Sequence, residues 1–276
     1  MAEIVPIKGG ATDSGPLRTQ LDGKVLTITL ANPPAHALSL EMIGLLHQAL
    51  LDARANPQVN VIVLASTGKV FCAGHDLKQM RGYRDDADGG ARSLETLFNA
   101  CSDLMKTIPR LPKTVIAKVD GIATAAGCQL VAACDLAFAS EDAQFGTPGV
   151  NIGGFCATPM VALSRNVSRK HAMEMLLTGE MIDAKTAMRM GLVNKVVPRD
   201  YLDQVVDKMA GLIASKSAMA IARGKRAFYE QAEMRLAEAY DYANRVMIES
   251  FTTADAEEGL NAFIEKRPPE WTEPEE

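Results

Sequence analysis

The segment NVIVLAS (60–66) carries apolar side chains at almost every position, whereas a half-buried strand would alternate apolar and polar residues. A strand of this kind needs cover on both faces, as it has inside a sheet that is flanked by helices. Further strands are predicted at KVLTITLA (24–31), TVIAKVDG (114–121) and DLAFAS (135–140), with helical segments between several of them. This recurrence of strand, helix and strand predicts an α/β architecture with short buried strands.

Helices are predicted between these strands and, above all, after them. Ser39 can cap a helix that runs through Arg54, whose apolar residues fall on one face: Met42, Leu46, Ala49, Leu50 and Ala53. The polar stretch RGYRDDADGGAR (81–92) is predicted to be a loop, and a helix is expected near 94–108. From about Arg165 onward the pattern is helical, with predicted segments at 168–177, 183–190, 199–215, 217–230, 234–251 and 254–266.

Three regions are expected along the chain. A flexible tail is predicted over residues 1–16, an α/β core over 17–200 and a helical region over 201–276. The 276 residues are 47% apolar and 23% charged, which is enough apolar material for a sizeable core.

Charge and hydropathy exclude several classes of partner. The net charge is −5, and the nearest approach to a basic cluster is Arg223, Lys225 and Arg226 on a predicted helix face, so nucleic acid is not expected as a partner. No apolar run approaches the roughly 18 residues of a spanning helix, and the amino terminus lacks the apolar stretch of a signal peptide, so no membrane partner is expected.

The cysteines and histidines favour neither disulfides nor a metal site. The five cysteines form no CxxC pair, and the four histidines include no HExxH motif. We therefore expect reduced, buried thiols, a cytoplasmic location, no metal and no cofactor.

Three segments hold small residues where a main chain could approach a ligand closely. They are VFCAGHDLKQM (70–80), GIATAAGCQL (121–130) and AQFGTPGVNIGGFC (143–156). Two of them pass from strand to helix, where a backbone N–H has no intrahelical partner and lies at the positive end of the helix dipole. The N–H groups of His75 and Ala126 could therefore bracket one developing negative oxygen as an oxyanion hole. The alternative is close helix–strand packing that requires small residues.

In this order the segments resemble the crotonase (enoyl-CoA hydratase/isomerase) superfamily, from about residue 18 to 271. LANPPAHALS resembles the family's amino-terminal motif, in which Asn usually occupies the place of His36. The first two small-residue segments resemble its AGxD loop and its GxAxGGGxxLxxxCD segment, and LLTGEMIDAKTAMRMGLVNKVVP and EGLNAFIEKRPPEW resemble its carboxy-terminal half. The resemblance implies a ClpP/crotonase-like spiral of ββα units, an acyl-CoA-binding core and a carboxy-terminal helical trimerisation region.

The resemblance also implies how the ligand lies. A thioester carbonyl would rest against the amides of His75 and Ala126, and coenzyme A would enter as part of the substrate. The helical end of a neighbouring subunit would close over the adenine in a homotrimer, or in a hexamer made from two trimers. The substrate-contacting positions implied in this way are Ala35, Ala37, Ala73, Asp76, Leu77, Lys78, Asn151, Cys156, Phe263 and Lys266. Alternatives stay open: Asp76 as a brace of the loop, Cys156 as an inert thiol, Phe263 as a buried residue and Lys266 as a solvated one.

Two glutamates of the family's hydratases are missing. Gln129 and Gly149 stand at their positions, within a combination of GHDLK, ATAAGCQL, TPGVN and GGFCATP that resembles the enoyl-CoA hydratase domain-containing proteins. A Gln amide cannot accept a proton near neutral pH, and each general acid or base is worth roughly 10²–10⁴ in rate. Without these carboxylates we expect little or no hydratase activity. Two hypotheses remain: an acyl-CoA-processing lyase or isomerase with weak or different chemistry, or a non-catalytic acyl-CoA binder.

Two other functions are disfavoured by the motifs. GIATAAG does not match the GxGxxG pattern of a dinucleotide site, and the sequence contains no GxSxG motif of a serine hydrolase.

Overall fold

The structure is a computed structural model that describes residues 15–272, so the tail expected over 1–16 lies almost entirely outside it. The strands of the described residues are β1 (Leu17–Asp22), β2 (Val25–Leu30), β3 (Val61–Ser66), β4 (Val70–Cys72), β5 (Thr114–Val119), β6 (Ile122–Thr124), β7 (Leu136–Ser140), β8 (Gln144–Gly146), β9 (Ile182–Asp183) and β10 (Lys195–Val197). The α-helices are α1 (Leu40–Ala55), α2 (Leu77–Gly82), α3 (Ala91–Arg110), α4 (Ala126–Ala133), α5 (Pro159–Leu163), α6 (Arg169–Thr178), α7 (Ala184–Met190), α8 (Leu202–Ala214), α9 (Ala218–Gln231), α10 (Leu236–Phe251) and α11 (Ala254–Glu265).

The strands form two sheets. The larger sheet has the order β1-β2-β3-β5-β7-β10, in which β1 is antiparallel to β2 and the other neighbours are parallel. The smaller sheet has the order β4-β6-β8-β9, with only the β8–β9 pair antiparallel. Both sheets thus consist mainly of parallel strands, which need connections that cross over.

The chain visits the two sheets in alternation. β3, β5 and β7 lie in the larger sheet, and each is followed within a few residues by a short strand of the smaller sheet, β4, β6 or β8. A helical segment then leads back toward the larger sheet. This repeated strand–strand–helix unit confirms the expected ββα spiral and the α/β class.

The predicted strands and helices are present with small shifts at their ends. Six strands were not predicted: β1 and β10 of the larger sheet and all four strands of the smaller sheet. β1 pairs with all of β2 through a turn at Gly23, whose φ of +55° is suited to glycine. The predicted loop at 81–92 is partly helical, because α2 extends to Gly82 and a 3₁₀ turn covers Tyr83–Asp85.

The core lies on both faces of the larger sheet. On one face, α1 buries Met42, Leu46 and Leu50, and its Ser39 cap accepts a hydrogen bond from the Met42 amide as predicted. α4 is almost completely enclosed, with residues 126–132 all buried. The opposite face is covered by α8, whose Leu202, Val206 and Ala210 pack against Val61, Val63, Ile116 and Phe138. The first helix beyond residue 200 therefore packs directly on the sheet, and the proposed boundary there remains a prediction.

Of the last three helices, α9 is fixed to the core by a cluster of polar contacts. Lys225 of α9 donates to the Asp135 carboxylate at 2.6 Å and to the carbonyls of Ile108 and Lys113. Asp135 also accepts from the Tyr229 hydroxyl and from the Val115 amide. Because every charge in this buried cluster is hydrogen-bonded, the pair is tolerated away from water.

The segment that follows α11, residues 266–272, folds back onto the α8–α9 junction. Arg267 forms a two-pronged ion pair with Glu258, at 2.6 and 2.8 Å. The Trp271 indole donates to the Ser215 carbonyl at 2.8 Å, and its ring covers Gly259, where an added methyl would lie 3.3 Å from ring carbons. The motif EGLNAFIEKRPPEW thus closes the carboxy-terminal helix against the body of the protein.

Replacing Lys225 by Met should lower the free energy of unfolding by about 3–5 kcal/mol, because Asp135 stays buried without its charged partner. The matched control is Arg226→Met: Arg226 is exposed, lies 4.0 Å from Glu230, and should contribute less than about 0.5 kcal/mol. Urea unfolding of both variants measures the difference. Equal loss in the two would show that the Lys225–Asp135 cluster does not stabilise the helical region.

Candidate functional site

The loop after β4 is held against the segment that precedes α1. The Ala73 amide donates to the Ala35 carbonyl at 3.0 Å, and the Leu38 amide donates to the Gly74 carbonyl at 2.8 Å. Residues 35–38 and 73–76 therefore run side by side, so the predicted positions Ala35, Ala37 and Ala73 lie together.

The same loop meets the start of α4 at Gly74. A methyl group placed on Gly74 would lie 2.9 Å from the Ala125 Cβ and 3.1 Å from the Ala126 amide nitrogen. The Thr124 hydroxyl donates across the junction to the Ala73 carbonyl at 3.0 Å. The two segments are thus in close contact at Gly74, where there is no room for a larger residue.

The two candidate amides are free of protein acceptors. Among the described residues, neither His75 N–H nor Ala126 N–H donates to any backbone or side-chain acceptor. Their neighbours do: the Asp76 amide is directed at the Leu38 carbonyl and the Ala125 amide at the Gly146 carbonyl. α4 also begins without a side-chain cap, so its first amides keep the positive end of the helix dipole available.

The backbone strain at this site lies at Ala125. Its φ of +51° and ψ of −119° are unusual for an L-residue, whereas Ala126 has a negative φ and starts the helix. A residue held in such a conformation costs of order 1–3 kcal/mol and is often found at functional sites.

Close packing explains other small residues of the same segments. A methyl on Gly127 would lie 2.0 Å from the Cys72 carbonyl oxygen, and one on Gly121 would lie 2.1 Å from the Lys69 carbonyl oxygen. Close packing therefore explains the glycines at positions 121 and 127. It does not explain why the amides of His75 and Ala126 have no hydrogen-bond acceptor among the described residues.

Gln129 and His75 belong to the segments that carry the two amides. Gln129 is 5% exposed, and its Oε1 is buried without a hydrogen-bond partner among the described residues. The His75 ring packs edge-on to Phe98 of α3 at 5.3 Å, and both ring nitrogens are buried and unpartnered. Burial lowers the pKa of the His75 imidazole. The backbone of Leu38 has a smaller effect in the opposite direction, although neither ring nitrogen makes a hydrogen bond. The imidazole is therefore neutral at neutral pH.

The position of the second missing glutamate is filled. Gly149 lies in a 3₁₀ turn over Pro148–Ile152, and a methyl placed on it would lie 2.9 Å from Cys156 Sγ and 3.1 Å from the Cys156 amide nitrogen. Burial raises the pKa of the Cys156 thiol, which is therefore protonated at neutral pH. A side chain at 149 requires this segment to move.

The other predicted contacts have local roles or face solvent. Asp76 caps α2 by accepting from the amides of Lys78 and Gln79, while Leu77 and Lys78 are exposed on that helix. Asn151 donates to the Gly179 carbonyl at 3.4 Å, at the end of α6. The structure therefore supports the alternative of Asp76 as a brace of the loop.

Phe263 and Lys266 lie on the outside of the carboxy-terminal helix. Phe263 is 84% exposed, which excludes the alternative of a buried side chain in this chain taken alone. Lys266 is exposed at the end of α11 with a φ of +57°. Their proposed contact with coenzyme A requires a neighbouring copy.

Two buried polar residues of the neighbouring segments, His36 and Thr147, were not predicted as site residues. His36 is buried, accepts from the Asn32 amide through Nδ1 at 3.1 Å and donates from Nε2 to the Thr67 carbonyl at 2.7 Å. Its positive φ of 45° matches a turn that Asn would also fit, and this was the available signal. Thr147 is buried with an unpartnered hydroxyl, and only its place before Pro148 could have indicated it.

Within residues 15–272, no group of three His, Cys, Asp or Glu side chains is arranged to hold a metal ion. Over the same range, no helix is both long and apolar enough to cross a membrane.

The chain belongs to the enoyl-CoA hydratase/isomerase family, whose model matches residues 20–274. It is 45% identical over 254 residues to "Enoyl-CoA hydratase domain-containing protein 3, mitochondrial" of Rattus norvegicus, covering 92% of this chain and 83% of the relative. It is similar in structure to an enoyl-CoA hydratase of Mycobacterium smegmatis (TM-score 0.89, 48% identity, 94% and 99% of the two chains). The human enoyl-CoA hydratase domain-containing protein 3 gives a TM-score of 0.88 at 41% identity over 93% and 100%. These matches confirm the crotonase resemblance.

The prediction of a cytoplasmic location is wrong by the same comparison. Five curated relatives, from rat, frog, mouse, human and zebrafish, carry the word mitochondrial in their names. The error has a physical origin: buried free thiols are compatible with any reducing compartment and do not distinguish one from another.

Replacing Ala125 by Gly should raise the free energy of unfolding by about 1 kcal/mol. The change removes about 1–3 kcal/mol of backbone strain and loses about 0.4–1 kcal/mol through greater freedom of the unfolded chain. Ala132→Gly, inside the same helix, is the control and should be destabilising by about 1 kcal/mol. Denaturant unfolding decides; destabilisation by Ala125→Gly would contradict the strain at this position.

Proposed function

We propose that this protein binds an acyl-CoA thioester and polarises its carbonyl between the amides of His75 and Ala126. The observation that carries the proposal is the pair of unpartnered N–H groups on two segments that touch at Gly74. The relatives named enoyl-CoA hydratases support the choice of a coenzyme A thioester. One such donor contributes about 3–4 kcal/mol to stabilisation of an oxyanion.

The chemistry that follows is limited by what surrounds the hole. Gln129 can orient a water molecule but cannot take its proton, and at Gly149 the Cys156 thiol occupies the space beside the Cα. Water addition is therefore slow. Reactions that need a polarised thioester without paired acids fit better: decarboxylation, isomerisation, or hydrolysis assisted by the substrate or by water.

The coenzyme A moiety extends from the hole along α2. Asp76 fixes the start of that helix, which presents Lys78 to solvent for contact with the pantetheine or the phosphates. Helices α9–α11 expose a set of large apolar side chains that another subunit would cover: Phe228, Leu236, Tyr240, Met247, Ile248, Phe251, Leu260, Phe263 and Ile264. A homotrimer, alone or paired into a hexamer, would bring Phe263 and Lys266 of one copy to the adenine end of another's site.

A non-catalytic acyl-CoA binder is the second candidate, favoured by the absence of both carboxylates. Both candidates predict affinity for acyl-CoA, but they differ in turnover. Incubating the purified protein with a panel of acyl-CoAs separates them, because product formed at enzymatic rates eliminates the binder.

Gly74→Ala should weaken acyl-CoA binding and any turnover by at least about 10²-fold, because the new methyl would enter the space 3.1 Å from the Ala126 nitrogen. Gly68→Ala is the matched control. Gly68 has a similar positive φ, +73° against +89°, but a methyl there meets nothing within 4 Å. Both variants carry the backbone strain, and only Gly74→Ala blocks the hole.

Calorimetry with an acyl-CoA and with free coenzyme A measures the effect on the thioester separately from the effect on the nucleotide. A second variant, Ala126→Pro, removes one donor at the first position of α4, where proline suits the helix itself. Folded variants that process thioesters normally would show that the hole is assigned wrongly.

Gln129→Glu should raise crotonyl-CoA hydration by about 10²-fold or more, because one general base is restored. The second missing glutamate corresponds to Gly149, but a side chain there would begin 2.9 Å from Cys156 Sγ. We therefore expect a further gain only when Gly149→Glu is combined with Cys156→Ala. Absence of any gain in the triple variant, measured by loss of enoyl absorbance, would show that the pocket is aligned differently.

A further inference from the structure

The side chain of Met181 connects the protein surface with a strand that supports the candidate hole. Met181 is 37% exposed and directly precedes β9. A methyl group placed on Gly146 of β8 would lie 2.5 Å from the Met181 Sδ, so the thioether packs directly against this glycine. An oxidisable sulfur atom on an exposed residue is therefore in contact with the backbone of β8.

Gly146 in turn holds the residue that precedes Ala126. The Gly146 carbonyl accepts a hydrogen bond from the Ala125 amide at 2.9 Å, and Gly146 pairs with Thr124 of β6. Ala125 has a φ of +51°, and a residue strained in this way persists only where the surrounding structure holds it. The position of the Gly146 carbonyl thus helps to set the orientation of the peptide units that lead into Ala126.

The attachment of β9 to β8 consists of few contacts. β9 has two residues, and its ladder with β8 pairs Gln144 with Asp183 and Phe145 with Ile182. Gly146 lies just beyond this ladder, against the Met181 side chain and the Glu180 carbonyl. Because so short a ladder resists displacement weakly, a change in the size or polarity of the side chain at 181 should move Gly146.

Oxidation of a methionine changes both of these properties. Hydrogen peroxide transfers one oxygen atom to the thioether: the O–O bond breaks, an S=O bond forms, the sulfur loses two electrons and water leaves. The product, methionine sulfoxide, is larger and polar, so it disrupts apolar packing and favours contact with water. A sulfoxide at 181 would therefore not remain packed against Gly146.

The thiols of the chain compete weakly for a peroxide. All five cysteines are buried, and burial raises the pKa of Cys72, Cys101 and Cys128 to about 12. Little thiolate is present at neutral pH as a result, and the thiolate is the reactive form. Exposed methionines are thus the more accessible targets, and Met181 is the one among them that contacts Gly146.

We infer that Met181 is an oxidation site through which a peroxide weakens the candidate hole. Once oxidised, its side chain leaves Gly146 and the Gly146 carbonyl shifts. Ala125 then relaxes toward an ordinary backbone conformation, and the Ala126 amide turns out of line with the amide of His75. The inference rests on the proposed function and adds a form of regulation to it.

The test compares the wild-type protein with Met181→Leu before and after treatment with hydrogen peroxide. Leu replaces Met at nearly constant volume, so both proteins should bind butyryl-CoA equally before treatment. After treatment, calorimetry should give at least about 10-fold weaker binding of butyryl-CoA to the wild type, because one donor is misaligned. Met181→Leu should keep its affinity, and the affinity for free coenzyme A should change in neither protein.

Met188→Leu is the matched control. Met188 is 40% exposed on α7, so it should be oxidised as readily, and its replacement should not protect the protein. Mass mapping of peptides identifies the methionines that have gained oxygen. Three outcomes would each overturn the inference: Met181 staying reduced while Met188 is oxidised, full affinity in wild-type protein that carries oxidised Met181, or equal loss in Met181→Leu.

Two further measurements distinguish failure of the inference from failure of the proposed function. Met181→Gln, which places a polar group there without any oxidant, should weaken butyryl-CoA binding, and a methionine sulfoxide reductase should restore the oxidised wild type. Hydrogen exchange at the Ala125 amide should become faster on oxidation, because its acceptor on Gly146 moves. Faster exchange in a protein that binds no acyl-CoA even when untreated defeats the proposed function alone; unchanged exchange defeats the inference.

Discussion

The contact of two main chains at Gly74 is the constraint on which the rest of the site depends. A methyl group on Gly74 would lie 2.9 Å from the Ala125 Cβ and 3.1 Å from the Ala126 nitrogen, so no larger residue fits at this junction, which joins the two segments that carry the unpartnered amides. The strained Ala125 and the short strands of the smaller sheet serve the same geometry, since they bring both segments to one edge. The packing of the whole core holds this arrangement, which a surface loop alone could not maintain.

Much of the fold could be predicted because its signals are local. Continuous apolar strands, the Ser39 cap and the helical periodicity of the second half indicated the architecture and most element positions. The smaller sheet could not be predicted in this way, because strands of two or three residues such as β4 and β9 are too short to show a period. Its strands are defined by pairing partners distant in sequence, which no local pattern reveals.

The site shows the same division between local and tertiary information. The sequence indicated which two amides to examine and that two glutamates are absent, but it gave no sign of the backbone strain at Ala125. It also gave no sign that Cys156 fills the space beside Gly149, since that contact depends on how residues 149–156 turn. Restoring an acid at position 149 therefore requires a change of packing as well as a change of residue.

The candidate hole is built from peptide groups, and this affects how such a protein can change over generations. A substitution at His75 or Ala126 alters the lining of the cavity but leaves the amide donor in place unless proline is introduced. If the proposed hole binds a thioester, the side chains around it are thus free to change and to fit new acyl groups while both amide donors are retained. A lineage could then lose one reaction and acquire another without losing the groups that polarise the carbonyl.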